Sequence, residues 1–241
     1  MKKVLSVMAL VCAMGFAACG GNEKNVGLSA DEVKVGEYVT FGSYEQDNDK
    51  KNGKEPIEWL VLEVEDDRAL LLSRYSLDNV AYTEEKKEIT WEESYLREWL
   101  NKDFYKEAFI KSEKNAILET EISLYEDEDD AEEGASTTTE DKVFVLNPYE
   151  AWDYFAEGEE VDERGKRYNY SRAASATEYA LEIAQMPFDY EYFDWWVMTF
   201  GNCEGIGTTV CDDGVIREGV AAICHCFVRP AIWVMLEETE E

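Results

Sequence analysis

Four apolar residues without a polar interruption, Ala69-Leu70-Leu71-Leu72, stand between the acidic pair Asp66-Asp67 and Ser73. Side chains on a β-strand alternate between two faces, so this run predicts a strand buried on both of them. The preceding Ile57-Glu58-Trp59-Leu60-Val61-Leu62-Glu63-Val64 is also β-like, and Asp66-Asp67 reads as the turn of a hairpin. A short strand is expected at Val39-Thr40-Phe41, ended by Gly42. Asn52-Gly53 marks a turn that needs positive φ.

Beyond residue 90 the period changes. Thr90 with Glu93 has the form of a capping box, and Trp91, Tyr95, Trp99, Leu96 and Leu100 recur at spacings of three and four. That pattern predicts an amphipathic helix ending near Asn101, with Trp91 and Trp99 in the core. Two more helical pieces are expected at Asp103–Phe109 and Ser112–Leu118. Val143-Phe144-Val145-Leu146 reads as a buried strand. Asn147-Pro148 then opens a helix with Trp152 and Phe155 on its apolar face. Another helix should cover about Ala173–Ala184 and stop before Pro187. From Phe188 the chain is aromatic and β-like, closing with Val228-Arg229-Pro230-Ala231-Ile232-Trp233-Val234, where proline forces an edge or a boundary. Strands and helices in this order give an α+β domain, and no internal repeat is present.

The 241 residues include 23 Lys+Arg and 54 Asp+Glu, a formal charge of −31. Such a surface repels polyphosphate, which excludes nucleic acid as a partner. At 45% hydrophobic and 13% aromatic the chain is too apolar to be disordered. Seven of the eight residues Glu126–Glu133 are acidic. The run lacks the spaced Asp/Asn ligands and glycine of an EF-hand, so it reads as a solvated acidic loop, spanning about 120–141, rather than a calcium site.

Lys2 and Lys3 followed by the uncharged Val4–Phe16 form a signal-peptide core, too short for a bilayer span of about 20 residues. Ala17-Ala18-Cys19 resembles a bacterial lipobox, although Phe16 replaces the usual aliphatic residue. Cys19 is then the acylated first residue of an exported protein, anchored to the outer face of the cell membrane or the outer membrane. Residues 1–18 are assigned to the signal, 19–36 to a flexible spacer, 37–236 to one domain and 237–241 to an acidic tail.

Several phrases in order carry a resemblance. They are Phe41-Gly42-Ser43-Tyr44-Glu45-Gln46, Pro56-Ile57-Glu58-Trp59-Leu60-Val61-Leu62, Ala69-Leu70-Leu71-Leu72-Ser73-Arg74-Tyr75 and Thr90-Trp91-Glu92 through Leu96-Arg97-Glu98-Trp99-Leu100-Asn101. Later come Asp141-Lys142-Val143-Phe144-Val145-Leu146, Ala176-Thr177-Glu178-Tyr179-Ala180, Trp195-Trp196 and Val228-Arg229-Pro230-Ala231-Ile232-Trp233. Over about residues 37–236 the chain resembles a bacterial domain-of-unknown-function family, common in exported proteins of anaerobic gut bacteria. Two departures stand out: Glu45 in place of a usual proline, and Val197-Met198-Thr199-Phe200 in place of a polar stretch. The latter half also resembles the formylglycine-generating-enzyme branch of the C-type-lectin-like fold. Its counterparts are Leu146-Asn147-Pro148, Trp195-Trp196, Asp213-Gly214 and Val228-Arg229. This resemblance implies a mixed fold of short antiparallel sheets with flanking helices.

Candidate chemistry concentrates near the C-terminus. Phe188, Tyr190, Tyr192, Phe193, Trp195 and Trp196 place six aromatics in nine residues. On a strand the two tryptophans point oppositely, so one is expected in the core and the other exposed near the Gly201-Asn202 to Gly207 loop. Beside Asn202, Asp212 and Asp213 that ring would form a sugar platform, the favoured partner being a glycan or cell-envelope component. Cys203, Cys211, Cys224 and Cys226 form the second cluster, with Cys203–Cys211 the first pair to consider for a disulfide. Cys224 and Cys226 would share one face of a strand. The spacing holds no Cys-x-x-Cys knuckle, and His225 is the single histidine, so neither a metal site, nor a cofactor, nor a catalytic residue is assigned. The leading reading is a surface-tethered, non-catalytic binding module. The alternative is an extracytoplasmic enzyme, metal-dependent or cysteine-dependent, using the Cys203–Cys226 region and His225.

Overall fold

The hairpin around Asp66-Asp67 organises a computed structural model that describes residues 27–85, 90–124, 137–187, 189–199 and 205–237. β3 (Glu55–Glu65) and β4 (Arg68–Ser73) pair antiparallel, with Asp66 in the left-handed region at φ 46°. Ala69, Leu70, Leu71 and Leu72 are at most 2% exposed, so both faces of β4 are covered. β2 (Tyr38–Tyr44) joins β3, and Gly42, at φ 69°, lies within it at an irregularity rather than ending it. β14 (Ala231–Glu237) lies on the other side of β4, and β1 (Leu28–Ser29) runs parallel along β14. The sheet order is β1-β14-β4-β3-β2.

A second five-stranded sheet has the order β12-β11-β10-β13-β5. It comprises β5 (Asp78–Ala81), β10 (Trp195–Trp196), β11 (Ile206–Val210), β12 (Ile216–Ala221) and β13 (His225–Val228). Only β10 and β13 pair parallel there. The two sheets meet where the chain leaves β4 for β5 and β13 for β14. Ser73 N donates to Pro230 O at 2.9 Å and Leu77 N to Val228 O at 2.9 Å. Pro230 therefore marks a boundary between strands, where no ladder donor is needed. Two small hairpins complete the β-structure of the described residues: β6 (Thr120–Leu124) with β7 (Thr137–Asp141), and β8 (Glu160–Val161) with β9 (Arg167–Tyr168). The fold is α+β and mostly sheet.

Helices are short. α1 (Tyr95–Trp99) is capped by Ser94, whose Oγ accepts from Arg97 N at 3.1 Å. Thr90 accepts from Glu93 N but closes only a turn, so the N-cap lies four residues later than expected, at Ser94 and without a capping box. Nor does the helix end at Asn101. It widens into a π-helical turn over Leu100–Phe104 and continues as α2 (Tyr105–Ala108), with α3 (Lys111–Ala116) following. The Asn101 side chain explains the widened turn. It donates to Arg97 O, Asp141 Oδ1 and Val143 O and accepts from Lys142 N and Val143 N, a tether to 141–143. α4 (Pro148–Asp153) carries the expected Asn147 cap, reciprocated by Glu150, although Trp152 is exposed instead of buried. α5 (Glu178–Ala184) is shorter than expected, because Ala174 and Ala176 make bridges to Phe193 and Ser76 instead of turning. Val143–Leu146 is buried throughout but joins the sheets only by a Phe144–Ala231 bridge.

Three boundaries differ from the expectation. The spacer assigned to 19–36 is part of the fold from Leu28: β1 pairs with β14, and Val33 is buried. The acidic loop assigned to 120–141 is narrower, because 120–124 and 137–141 form β6 and β7; Glu126–Glu133 lies outside the described residues. Glu237, placed in the tail, ends β14. The signal segment and Cys19 also lie outside the described residues.

Candidate functional site

At the end of α5 the chain turns back through Met186-Pro187, and the aromatic segment before β10 faces β13 and β5. Between them lies a groove of about 740 Å³. Asn79 of β5, His225, Cys226 and Phe227 of β13 and Val220 of β12 line it. Tyr190, Tyr192, Phe193 and Met186 supply an apolar rim, and Asp194 and Asp212 place two carboxyl groups at one end. Tyr190 is 61% exposed and stands edge-on to Phe193 at 6.4 Å between ring centres. Phe193 in turn packs on Phe227 at 5.0 Å, fixing the rim to the sheet. Tyr192 continues outward to Tyr170 at 5.9 Å and Tyr168 beyond it at 5.3 Å.

The polar groups have defined partners. His225 Nδ1 lies 3.0 Å from Asn79 O. A carbonyl only accepts, so Nδ1 carries the proton and a neutral ring keeps Nε2 as an acceptor. Asp194 Oδ1 accepts from Asp212 N at 2.9 Å, while burial, followed by the Asp212 and Asp213 charges, pushes its carboxyl above the usual range. Cys226 Sγ donates to Asp194 O at 3.0 Å. Burial, and then Asp194, pushes this thiol well up, so it is not a thiolate at neutral pH.

Several expected site residues fall elsewhere. Trp195 and Trp196 are both fully buried, so neither is the exposed sugar platform. Trp195 Nε1 donates to Arg172 O at 3.3 Å and Trp196 Nε1 to Val80 O at 2.8 Å. They do point to opposite faces of β10, but both faces are covered, one by Arg229 and Arg172, the other by Tyr82 and Gly207. Asp212 reaches the groove. Asp213 does not: its Oδ2 takes Arg217 Nη2 at 2.7 Å and Lys166 Nζ at 2.9 Å. Burial opposes its charge, yet these hydrogen bonds hold the carboxyl below its ordinary value. Asn202 and Cys203, and with them the Cys203–Cys211 pairing, lie outside the described residues. Cys211, Cys224 and Cys226 are free thiols. Cys224 and Cys226 do not share a strand face, because β13 begins at His225 and leaves Cys224 exposed in the preceding turn.

Asn79 and Met186 were not singled out by sequence reasoning, and Tyr190 entered only as a member of the aromatic run. Only the aromatic run around Tyr190 and Tyr192 carried a signal. Asn79 and Met186 reach the groove through the Cys226–Val80 register and the turn after α5, which no local pattern encodes.

An α+β domain with an aromatic-rimmed groove over its second sheet is thus the class that the structure defines. Residues 66–236 match the family model described as a domain of unknown function, DUF6273, and the chain belongs to that family. It matches no curated protein and no solved structure.

Proposed function

We propose that this protein is an exported, lipid-anchored binding module that holds a glycan or cell-envelope fragment in the groove of the second sheet. The observation that carries this reading is the rim itself. Tyr190 and Tyr192 stand beside Asp194, Asp212 and His225 in one concave surface. Aromatic rings stack on the apolar faces of sugars, while a few convergent polar groups fix orientation. The −31 charge argues for a neutral or amine-bearing ligand over a polyanion. Lys2-Lys3, the apolar Val4–Phe16 and Ala17-Ala18-Cys19 support export and acylation at Cys19.

A C-type-lectin-like relation is part of the same proposal. Its supporting segments pack together: Met198 N donates to Leu146 O at 2.9 Å, Trp195 pairs with Phe227, and the Arg229 guanidinium lies 5.2 Å from the Trp195 ring centre. The enzyme alternative draws on a different observation, that His225 and Cys226 both line the groove. It is the weaker reading, because the Cys226 thiol is held protonated and bonded to a backbone carbonyl, and His225 is bonded to Asn79 rather than to a nucleophile.

The test is a glycan and peptidoglycan-fragment array probed with the full-length chain in detergent, alongside Tyr190→Ala and Asp212→Asn. The proposal requires a signal in the parent that falls at least about tenfold in Tyr190→Ala, a loss of stacking of about 1.4 kcal/mol or more, with both variants unfolding at the parental temperature. No parental signal, or a Tyr190→Ala variant that binds like the parent, ends it. Conversion of a bound fragment into product would favour the enzyme reading.

A further inference from the structure

The connection from β2 to β3 gathers three carboxylates, and we propose that it is a calcium site formed by Glu45, Asp47 and Glu55. One carboxylate oxygen from each residue lies within 4.8 Å of the other two. Oxygens bound to one Ca²⁺ at about 2.4 Å are separated by no more than about 4.8 Å, so a single ion can reach all three. Mg²⁺ demands near-ideal octahedral geometry and gives up its waters reluctantly, so three carboxylates of unequal exposure suit Ca²⁺ better. Neither His nor Cys belongs to the group, which excludes a zinc-type site.

A separate observation shows that this is more than surface acidity. Glu45 is only 8% exposed, and its Oε1 is sealed from solvent with no hydrogen-bond partner. A buried carboxylate oxygen left unpaired is costly, and a bound cation removes that cost. No lysine or arginine among the described residues forms an ion pair with the three carboxylates. Lys50 Nζ stands over the Tyr179 ring at 5.7 Å, and Lys54 Nζ is committed to Glu107 at 3.3 Å.

Both Asp47 oxygens and one Glu55 oxygen already accept hydrogen bonds, which hold these carboxylates in place. Glu55 Oε2 accepts from Gln46 N at 2.7 Å and Asp47 N at 3.4 Å, and Asp47 accepts from Asp49 N at 2.8 Å and Asn52 Nδ2 at 2.6 Å. Exposure grades from buried Glu45 through half-buried Glu55 to exposed Asp47, which leaves an open approach for the ion. Between Glu45 and Asp47, Gln46 O accepts from Tyr179 N at 3.0 Å, so the loop is coupled to the first turn of α5.

The test uses the full-length chain, stripped with chelator and titrated with CaCl₂ or MgCl₂ in calorimetry and thermal unfolding. Saturable Ca²⁺ binding is expected, raising the unfolding temperature by about 5–10 °C at a hundredfold excess over the dissociation constant. Glu45→Gln, which removes the buried charge and keeps a carbonyl acceptor, should abolish that response while unfolding, metal-free, at or above the parental temperature. Should that variant fail to fold, Glu55→Gln makes the same comparison while keeping an acceptor for Gln46 N. A parent indifferent to Ca²⁺ overturns the proposal. So does a Ca²⁺ response that survives the substitutions, which would place the ion elsewhere, as in the acidic run 126–133. An equal response to Mg²⁺ at equal concentration overturns the assignment to calcium.

Discussion

A β-carbon added at Gly207 of β11 would lie 2.4 Å from Cζ3 of Trp196, closer than real contacts allow. The backbone at Gly207 is not in the left-handed region, so the steric contact alone excludes a side chain. The indole opposite is fully buried against Tyr82, at 5.6 Å between ring centres, and has no space into which to retreat. Overfilling a packed core costs about 1–3 kcal/mol. Gly207→Ala is therefore expected to destabilise by that amount in urea unfolding. In a Trp196→Phe background, where the ring is smaller, most of the penalty should vanish. Strict additivity of the two substitutions would show that the contact is not the cause. Arg229 makes a related point about polar residues in this core. Its guanidinium donates from Nε to Ser73 O at 2.7 Å and lies against Trp195 and Phe155, with no ion pair to a carboxylate among the described residues. Burial lowers it to about 10, which still leaves it charged at neutral pH. A planar, weakly hydrated cation that stacks on rings can be held this way, whereas lysine's compact ammonium cannot.

The N-terminus of α4 combines a capping box with a half-buried acid. Glu150 accepts from Asn147 N at 2.8 Å, and Glu63 of β3, itself bonded by the Tyr154 hydroxyl, lies close enough to act on its charge. Burial raises the Glu150 carboxyl to about 7, against the lowering effect of the Asn147 N–H and with a further rise from Glu63. In the unfolded chain the group titrates near 4.5. Between those two values the folded state keeps a proton that the unfolded state has lost. The stability it contributes is thus complete below about pH 4.5 and is lost as pH rises through about 7. Glu150→Gln keeps an acceptor for the cap and removes the titration. Parent and variant should be nearly equal at pH 4.5, with the variant ahead by on the order of 1–3 kcal/mol at pH 8. The raised carboxyls of Asp78 and Asp194 have the same sign but are common to both proteins and cancel in the difference. Parallel stability curves across this range would sink the prediction.

For the molecule as a whole, the docking of Leu28 on β14 would set its distance from a membrane under the proposed Cys19 anchor. If Cys19 is the acylated residue, only the eight residues 20–27 separate the anchor from the fold, a reach of at most about 30 Å. Without Lys2 and Lys3 of the signal segment the anchored chain would carry 21 − 54 = −33, a charge repelled by the anionic bilayer surface that the short tether keeps nearby. Cys19→Ala should abolish incorporation of labelled palmitate and shift the protein from the membrane pellet to the soluble fraction. Label retained by the variant would refute acylation at this position. One acyl chain binds only marginally, so full pelleting of the parent implies at least two.

Period and punctuation made several elements legible in advance. The unbroken Ala69–Leu72 run is a strand buried on both faces, Asp66-Asp67 is its turn, and Asn147-Pro148 starts a helix. Each depends on neighbours within a few residues, where side-chain alternation and capping chemistry act. Longer-range pairing decided the rest. Which tryptophan of β10 would be exposed could not follow from alternation, because alternation assigns faces but not what covers them; here Arg229 and Arg172 cover one, Tyr82 and Gly207 the other. The groove exists because β13 pairs with β5, residues separated by well over a hundred positions, and the turn after α5 lies across their end. Glu45, Asp47 and Glu55 are close in sequence, yet only the β2–β3 register turns their carboxylates toward one point and buries the first of them. Local chemistry wrote the strands and caps; burial, which is a property of the assembled sheets, chose the surfaces left for a ligand.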